Sequence, residues 1–339
     1  MKIRKHCTYI FLIRRNSAPG DEIQELAGYF RMLNSLGCEV LVVDSSPLDV
    51  FAGFEGAWYY LCRHVKVDSR FHYLSDKLNS ICTGADLATC EKIIVAEDDV
   101  RYSPADILRM CEMLEDFDLV RPQNYISPLQ WWSRMESVHT LMNRAVFPGG
   151  DYSNTLAFLN TAFKKHCHFG KSSYYDSDDI IMQFALRRAK ICYALDFLIL
   201  KKSPSLSCWR DQMFQNIFDN FDFSLRTVLL LLLIPVGILL ALFAGPKTAL
   251  IYSTAVILSS ITVAFMGRHR GGRQFYPIGL LVYAPLWLLD VVINNYRALY
   301  WILSPGKYSS LRRVLKKRSK RPHIRISSTI KLYEGNRKN

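Results

Sequence analysis

Over its first hundred residues the chain alternates between short apolar runs and longer stretches whose apolar positions recur every three or four residues. CTYIFLI (7–13), CEVLVVD (38–44) and KIIVAE (92–97) have the length and β-branched content of buried strands. DEIQELAGYFRMLNSLG, from Asp21, has the period of an amphipathic helix and stops at Gly37, a residue suited to a helix end. SDKLNSICTGADLAT and SPADILRMCEMLED predict two further helices, whereas FEGAWYYLCRHVKVD fits no single period. Strands alternating with helices predict a largely parallel sheet with helices on both faces, where ligands bind beyond the carboxyl ends of the strands.

The pattern then changes. FDLVRPQNYISPLQWWSRMESVHTLMNRAVFPGGDYSNTLAFLN is aromatic-rich and broken by Pro122, Pro128 and Pro148, and it reads as irregular. SSYYDSDDIIMQFALRRAK predicts a helix opening on acids, ICYALDFLIL a further strand, and SCWRDQMFQNIFDNFDFSLR an amphipathic lead-in. Beyond it lie two apolar runs, about 225–245 and 248–267, in which Arg226 is the one charge. Each has the roughly 20 residues that cross a bilayer as helix, and only Pro246-Lys247 separates their ends. They read as a transmembrane hairpin. A third segment, about 276–303, turns polar at Asp290, Asn294, Asn295 and Arg297. An even number of crossings favours an interfacial helix there, with a third span left open.

The expected organisation is thus an α/β domain over 1–222, a membrane region over 223–304 and a polybasic tail over 305–339. Charge supports the last boundary. Of a net +13, residues 306–339 carry twelve Lys or Arg against Glu334, or 12 − 1 = +11. Basic residues beside membrane segments signal a cytoplasmic side and attraction to anionic lipid. The near-neutral remainder argues against a nucleic-acid-binding catalytic domain. Nine cysteines form no CxxC, as expected of free thiols in a cytoplasmic domain. CTYIFLI runs directly into Arg14-Arg15 and reads as a first strand rather than a secretory signal.

Candidate chemistry gathers at the strand ends. Asp44 closes the second strand, and Glu97, Asp98 and Asp99 close the next apolar one. Three adjacent carboxylates near a core repel one another and lose hydration, so something positive must compensate. Carboxylate oxygens suit Mg2+ or Mn2+ shared with phosphate oxygens, and such an ion stabilises a departing nucleotide diphosphate. The later acids, Asp176, Asp178 and Asp179, fit either a helix N-terminus or a general base that takes the proton of a sugar hydroxyl. A cation site and a base together suit glycosyl transfer.

In the order of these motifs (the strand ending at Asp44, SDKLNSICTGA, AEDDV, SDDIIMQFALRRAK, then the hairpin) the chain resembles membrane-bound family 2 glycosyltransferases of GT-A fold, over roughly residues 7–305. The resemblance implies Asp99 and Glu97 at the cation, where the family has its Asp-any-Asp motif, with Asp98 near the donor sugar. It implies Asp44, Lys77 and Asn79 at the nucleotide. It implies Asp178, with Asp179 next, as the base. RPQNYISPLQWW and MNRA resemble a bacterial subgroup, where the stretch bearing Gln123, Trp131 and Trp132 faces the acceptor or anchors at the membrane surface. The chain departs from the family in two places. LIRRNS replaces a proline-bearing strand end, leaving Arg15 to reach the diphosphate or lie in solvent. CWRDQMFQ, with Trp209 and Arg210, has the wrong order for the Gln-x-x-Arg-Trp motif of processive synthases.

The expected protein is therefore an inverting, metal-dependent, non-processive enzyme of a plasma or inner membrane. It moves one sugar from a nucleotide-diphosphate sugar to a lipid-linked or membrane-proximal glycan acceptor. A polyprenyl-phosphate glycosyltransferase and a non-catalytic scaffold that binds nucleotide or anionic lipid are the alternatives.

Overall fold

β1 (Cys7–Ile13) is buried at every position, as a strand must be when both faces of its sheet are covered. In the computed structural model, which describes residues 6–73, 75–147, 149–150, 155–170, 177–206, 209, 225–270, 275, 277–304 and 331–332, β1 lies between two parallel neighbours. β2 (Cys38–Asp44) flanks one side and β4 (Lys92–Glu97) the other, with β3 (Arg63–Lys66) beyond β2.

Alternate residues of β1 enter different cores. Tyr9 and Phe11 pack with α1 (Gly20–Ser35), α2 (Leu48–Trp58) and α4 (Pro104–Asp116). There Phe30 meets Phe11 and Trp58 edge-on, each at 5.3 Å between ring centroids. Ile10 and Leu12 pack on the opposite face with α3 (Asp76–Leu87), α6 (Asn160–His166) and α7 (Ser177–Leu186). The second face is tight. A Cβ on Gly84 of α3 would lie 2.7 Å from both Cδ1 and Cγ2 of Ile10. Gly84→Ala is expected to cost about 1–3 kcal/mol, read as a lower melting temperature. An unchanged melting temperature would show that Ile10 moves aside freely.

The parallel half of the sheet matches the sequence expectation. The other half is mixed. Its strands are β5 (Val100–Arg101), β6 (Leu119–Ser127), β7 (Leu156–Leu159) and β8 (Ile191–Lys202), in the overall order β3-β2-β1-β4-β7-β6-β8-β5. β7 is antiparallel to β4 and β6, and β8 runs parallel to β6. The segment expected to be irregular forms β6, helix α5 (Trp131–Val146) and β7 instead. Pro122 argues against a central strand. It is accommodated because the β6–β8 register shifts between Pro122 and Gln123.

Two compact units result. The sheet unit comprises Met1–Ser127, Gly149–Lys202 and Ile326–Asn339, and the other comprises Pro128–Pro148 and Ser203–Arg325. Helix α5 therefore groups with the apolar helices rather than with the sheet. Those helices are α8 (Leu225–Ala244), α9 (Pro246–His269) and α10 (Pro277–Leu303). Leu225–Ala244, Pro246–His269 and the Pro277–Tyr300 part of α10 are each long and apolar enough to cross a membrane. β9 (Lys331–Leu332) pairs parallel to β8.

Candidate functional site

The chain leaves β1 toward β2 on one side, and β4 is added on the other. The strand order therefore reverses between β1 and β4, where a parallel sheet opens a crevice at its carboxyl edge. Register brings two candidate positions, Asp44 and Glu97, to that edge, together with Lys66. Ile13 pairs with Asp44, Leu12 with Glu97, and Asp44 with Lys66.

Each of the three carboxylates ending β4 faces its own cation. Glu97 accepts from Lys77 in the first turn of α3, and Asp98 accepts from Arg15. Lys201 of β8 lies 3.7 Å from Asp99. Lys77 is held there because Ser75 caps α3, its Oγ accepting from the Leu78 N–H at 3.2 Å. Arg15 is shared, its guanidinium also donating to Glu22 of α1 at 2.7 Å. Burial pushes the Asp98 carboxyl above its ordinary value, Arg15 pulls it back, and the neighbouring charge of Glu97 raises it again. Burial, rather than an acid left without a basic neighbour, is thus the main cause of the raised Asp98 value. Among the described residues, no three His, Cys, Asp or Glu side chains are gathered to hold a metal ion. The donor chemistry, hard carboxylate oxygens, fits Mg2+ or Mn2+.

A chain of contacts runs from these acids to β2. The Arg15 N–H donates to Ser46 Oγ at 2.8 Å, and the Ser46 N–H donates to Asp44 Oδ1 at 2.7 Å. Asp44 Oδ2 lies 3.0 Å from His64 Nε2, and Lys66 donates to the Ser46 carbonyl. Asp44 is fully buried, with both carboxylate oxygens engaged inside the protein. It shapes the turn after β2 and presents Ser46 and Lys66 at the edge. Burial alone would raise the Asp44 carboxyl, but the hydrogen bonds from His64 and Ser46 outweigh it and hold the group below its ordinary value.

A depressed carboxyl stabilises the fold above its unfolded-state pKa, about 3.9, and loses that contribution as pH falls through the lower folded-state value. Asp44→Asn should therefore lower the melting temperature near neutral pH, by the equivalent of about 1–3 kcal/mol. The deficit should shrink below about pH 3.9. A deficit of the same size in acid and at neutrality would refute the assignment.

The remaining expected site residues are dispersed. Asn79 is buried and clamps the loop before α3, accepting from the Tyr73 N–H at 2.7 Å and donating to its carbonyl at 3.1 Å. Gln123 is fully buried at the β6 register shift. In the helical unit, Trp131 contacts Trp132 and Trp209 at ring-centroid distances of 5.6 and 5.7 Å, and Trp132 Nε1 donates to the Pro204 carbonyl at 2.9 Å. Trp131 remains exposed. Arg210, most of the tail over 305–339 and the side chains of Asp178 and Asp179 lie outside the described residues, although α7 itself starts at Ser177.

Sequence reasoning missed Glu22, Ser46, His64, Lys66 and Lys201. Lys66 and Lys201 meet the site only through pairing, Asp44 with Lys66 and Val100 with Lys201. Helical spacing offers a signal for Glu22 alone, which sits in the acidic first turn of α1.

A mixed α/β sheet with a crevice at its strand-order reversal defines the class of protein. No protein-family model and no curated protein sequence matches the chain. Among solved structures, the chain is similar to the mannosyltransferase PcManGT from Pyrobaculum calidifontis in complex with GDP-Man and Mn2+, at 12% identity and TM-score 0.46, covering 94% of this chain and 80% of that one. It is also similar to glucosyl-3-phosphoglycerate synthase from Mycobacterium tuberculosis in complex with Mn2+, UDP and glucosyl-3-phosphoglycerate, at 13% identity and TM-score 0.38, covering 59% and 70%. A third similarity is to S. aureus TarS 1–349 in complex with UDP-GlcNAc, at 9% identity and TM-score 0.38, covering 60% of each chain.

Proposed function

We propose that the chain is a membrane-associated glycosyltransferase that takes one sugar from a nucleotide-diphosphate donor and passes it to a lipid-linked or membrane-proximal acceptor. The observation that carries this is the set of carboxylates Glu97, Asp98 and Asp99 at the β1/β4 reversal, flanked by Lys77, Arg15 and Lys201. Such a crevice recognises a molecule carrying both a diphosphate and hydroxyls. The guanidinium of Arg15 and the ammonium of Lys77 suit the diphosphate, and Asp98 suits donor hydroxyls.

Asp99 and Glu97 would hold a divalent cation, which supplies electrostatic stabilisation to the departing nucleotide diphosphate. Asp178, at the start of α7, is proposed as the base that takes the acceptor's proton, giving inversion in a single displacement. Asp178→Asn should abolish transfer to a hydroxyl. A lipid-phosphate acceptor, already ionised, would make that effect small.

A second reading is supported by the same ion pairs. With each acid matched by a basic side chain, the fold could serve as a scaffold that binds nucleotide without metal. Incubating the purified full-length chain in detergent with a panel of nucleotide sugars and Mn2+ or Mg2+ separates the two. The transferase reading expects released nucleotide diphosphate with at least one donor, abolished by chelator. Nucleotide binding that ignores chelator, with no release from any donor, would leave the scaffold.

A further inference from the structure

The hairpin of α8 and α9 turns at Gly245, and its buried residues are confined to its base. Among the described residues they are Thr227 on α8 and Ser260, Ala264 and Gly267 on α9. Measured from Gly245, Thr227 is 245 − 227 = 18 residues away, and Ser260 and Gly267 are 15 and 22 away. At 1.5 Å per residue these positions lie about 22–33 Å from the turn. No described residue of either helix is buried closer to the turn.

α10 behaves differently. Its buried stripe runs from Leu280 through Ala284, Trp287 and Val292 to Asn295 and Ala298. That is 298 − 280 = 18 residues, or about 27 Å of helix. A helix rising beside the hairpin would bury an equally long stripe on α8 or α9. Instead, the buried positions of α8 and α9 occupy a band of about 11 Å. One end of the stripe shares an apolar cluster with Ala264 and α5, and the other is fixed where the Tyr296 hydroxyl donates to the Leu231 carbonyl. Leu231 is 14 residues from Gly245, still in the lower half of α8. Both halves of α10 therefore meet the base of the hairpin.

We infer that α10, although long and apolar enough to span, lies along the membrane interface across the base of a two-span hairpin, beside α5. Its polar stripe supports this orientation. Asp290 accepts from Asn294 at 3.0 Å, and Arg297 follows one turn later. The face opposite the stripe is apolar, and Leu281 and Leu303 on it are exposed, as acyl chains require. Two ring contacts with α5, Arg134 over Tyr283 and His139 against Trp287, place aromatic groups suited to headgroup depth along the same helix pair. The occupant of the exposed face is the outer few ångströms of a bilayer.

The test uses the full-length protein in sealed vesicles with an impermeant maleimide, read above the background of the parent chain. Ser69→Cys marks the sheet unit, Lys247→Cys the hairpin turn and Asn339→Cys the chain end. The expected result is that Asn339→Cys and Ser69→Cys react from the same side, with Lys247→Cys reacting only from the other. Reaction of Asn339→Cys together with Lys247→Cys would overturn the proposal. Spin labels placed one at a time over 286–300 give a second measurement. Oxygen accessibility should oscillate with the helical period at constant mean depth. A steady rise toward the bilayer centre would equally refute an in-plane helix.

Discussion

Asp99→Asn is expected to cut sugar transfer by about 10²–10⁴-fold, the several kcal/mol of charge stabilisation that a bound divalent ion supplies. The fold should survive the change. Asparagine keeps the volume, the backbone bond from Lys202 N–H to the Asp99 carbonyl at 2.7 Å is unaffected, and the side chain is one quarter exposed. Its contact with Lys201, at 3.7 Å, is of a kind worth about 0–1 kcal/mol. A melting temperature close to the parent's, with transfer lost, is therefore the predicted pattern. Lys201→Ala serves as the control, because it removes the same contact and leaves the carboxylate in place. If Lys201→Ala abolished transfer as completely as Asp99→Asn, the carboxylate would owe its effect to the ion pair rather than to a cation. Near-normal transfer in Asp99→Asn would refute the site assignment altogether.

Gly267→Ala is expected to be the most destabilising single-methyl change in the helical unit. A Cβ at that position of α9 would lie 1.9 Å from the Leu141 carbonyl oxygen and 2.6 Å from its carbon, both backbone atoms of α5. At Gly84 the obstacle is the end of the Ile10 side chain, which has rotamers to yield. Helix backbone has none, so the two helices must separate. Overpacking of ordinary cores costs about 1–3 kcal/mol, and a backbone obstacle belongs at or above the upper end. Ser260, Ala264 and Gly267 recur at four- and three-residue spacing, which lets helices approach closely where lipid offers no hydrophobic drive. The separation would also empty the cluster that Leu141 and Met142 share with Ala264 and Leu280. Thermal unfolding in detergent is the measurement, with Gly28→Ala as reference, since a Cβ there would meet no atom within 4 Å beyond its chain neighbours and the backbone of its own helix. Equal melting temperatures for the two variants would refute the close approach of α5 and α9.

The same contrast between near and far neighbours explains what the sequence showed. CTYIFLI, CEVLVVD and KIIVAE became β1, β2 and β4 because a run buried on both faces is apolar throughout, a property each strand displays alone. Helices α1, α3 and α4 were legible for the same local reason, their periods being visible without partners. LVRPQNYIS was illegible as a strand. Its polar residues are tolerated only because β7 and β8 flank it, so that Thr155, just before β7, donates to Asn124 at 2.9 Å. Trp131–Val146 was equally hidden, since its buried face is defined by α9 and α10, more than a hundred residues away.

At the site, the sequence by itself determined that acids would end β2 and β4, and that two uninterrupted apolar runs would form membrane-length helices. Which cation met which acid was decided only in three dimensions. Lys66 reaches the edge through its pairing with Asp44, and Lys201 through the antiparallel step of β8 onto β5. The sequence likewise set α10 apart from the two apolar runs through Asp290, Asn294, Asn295 and Arg297, whereas its contact with Leu231 of α8 belongs to the tertiary structure. The physical reason is one of range: periodicity and composition record the surroundings a residue prefers, while strand register and helix crossing depend on segments far along the chain that leave no mark on their partner's sequence.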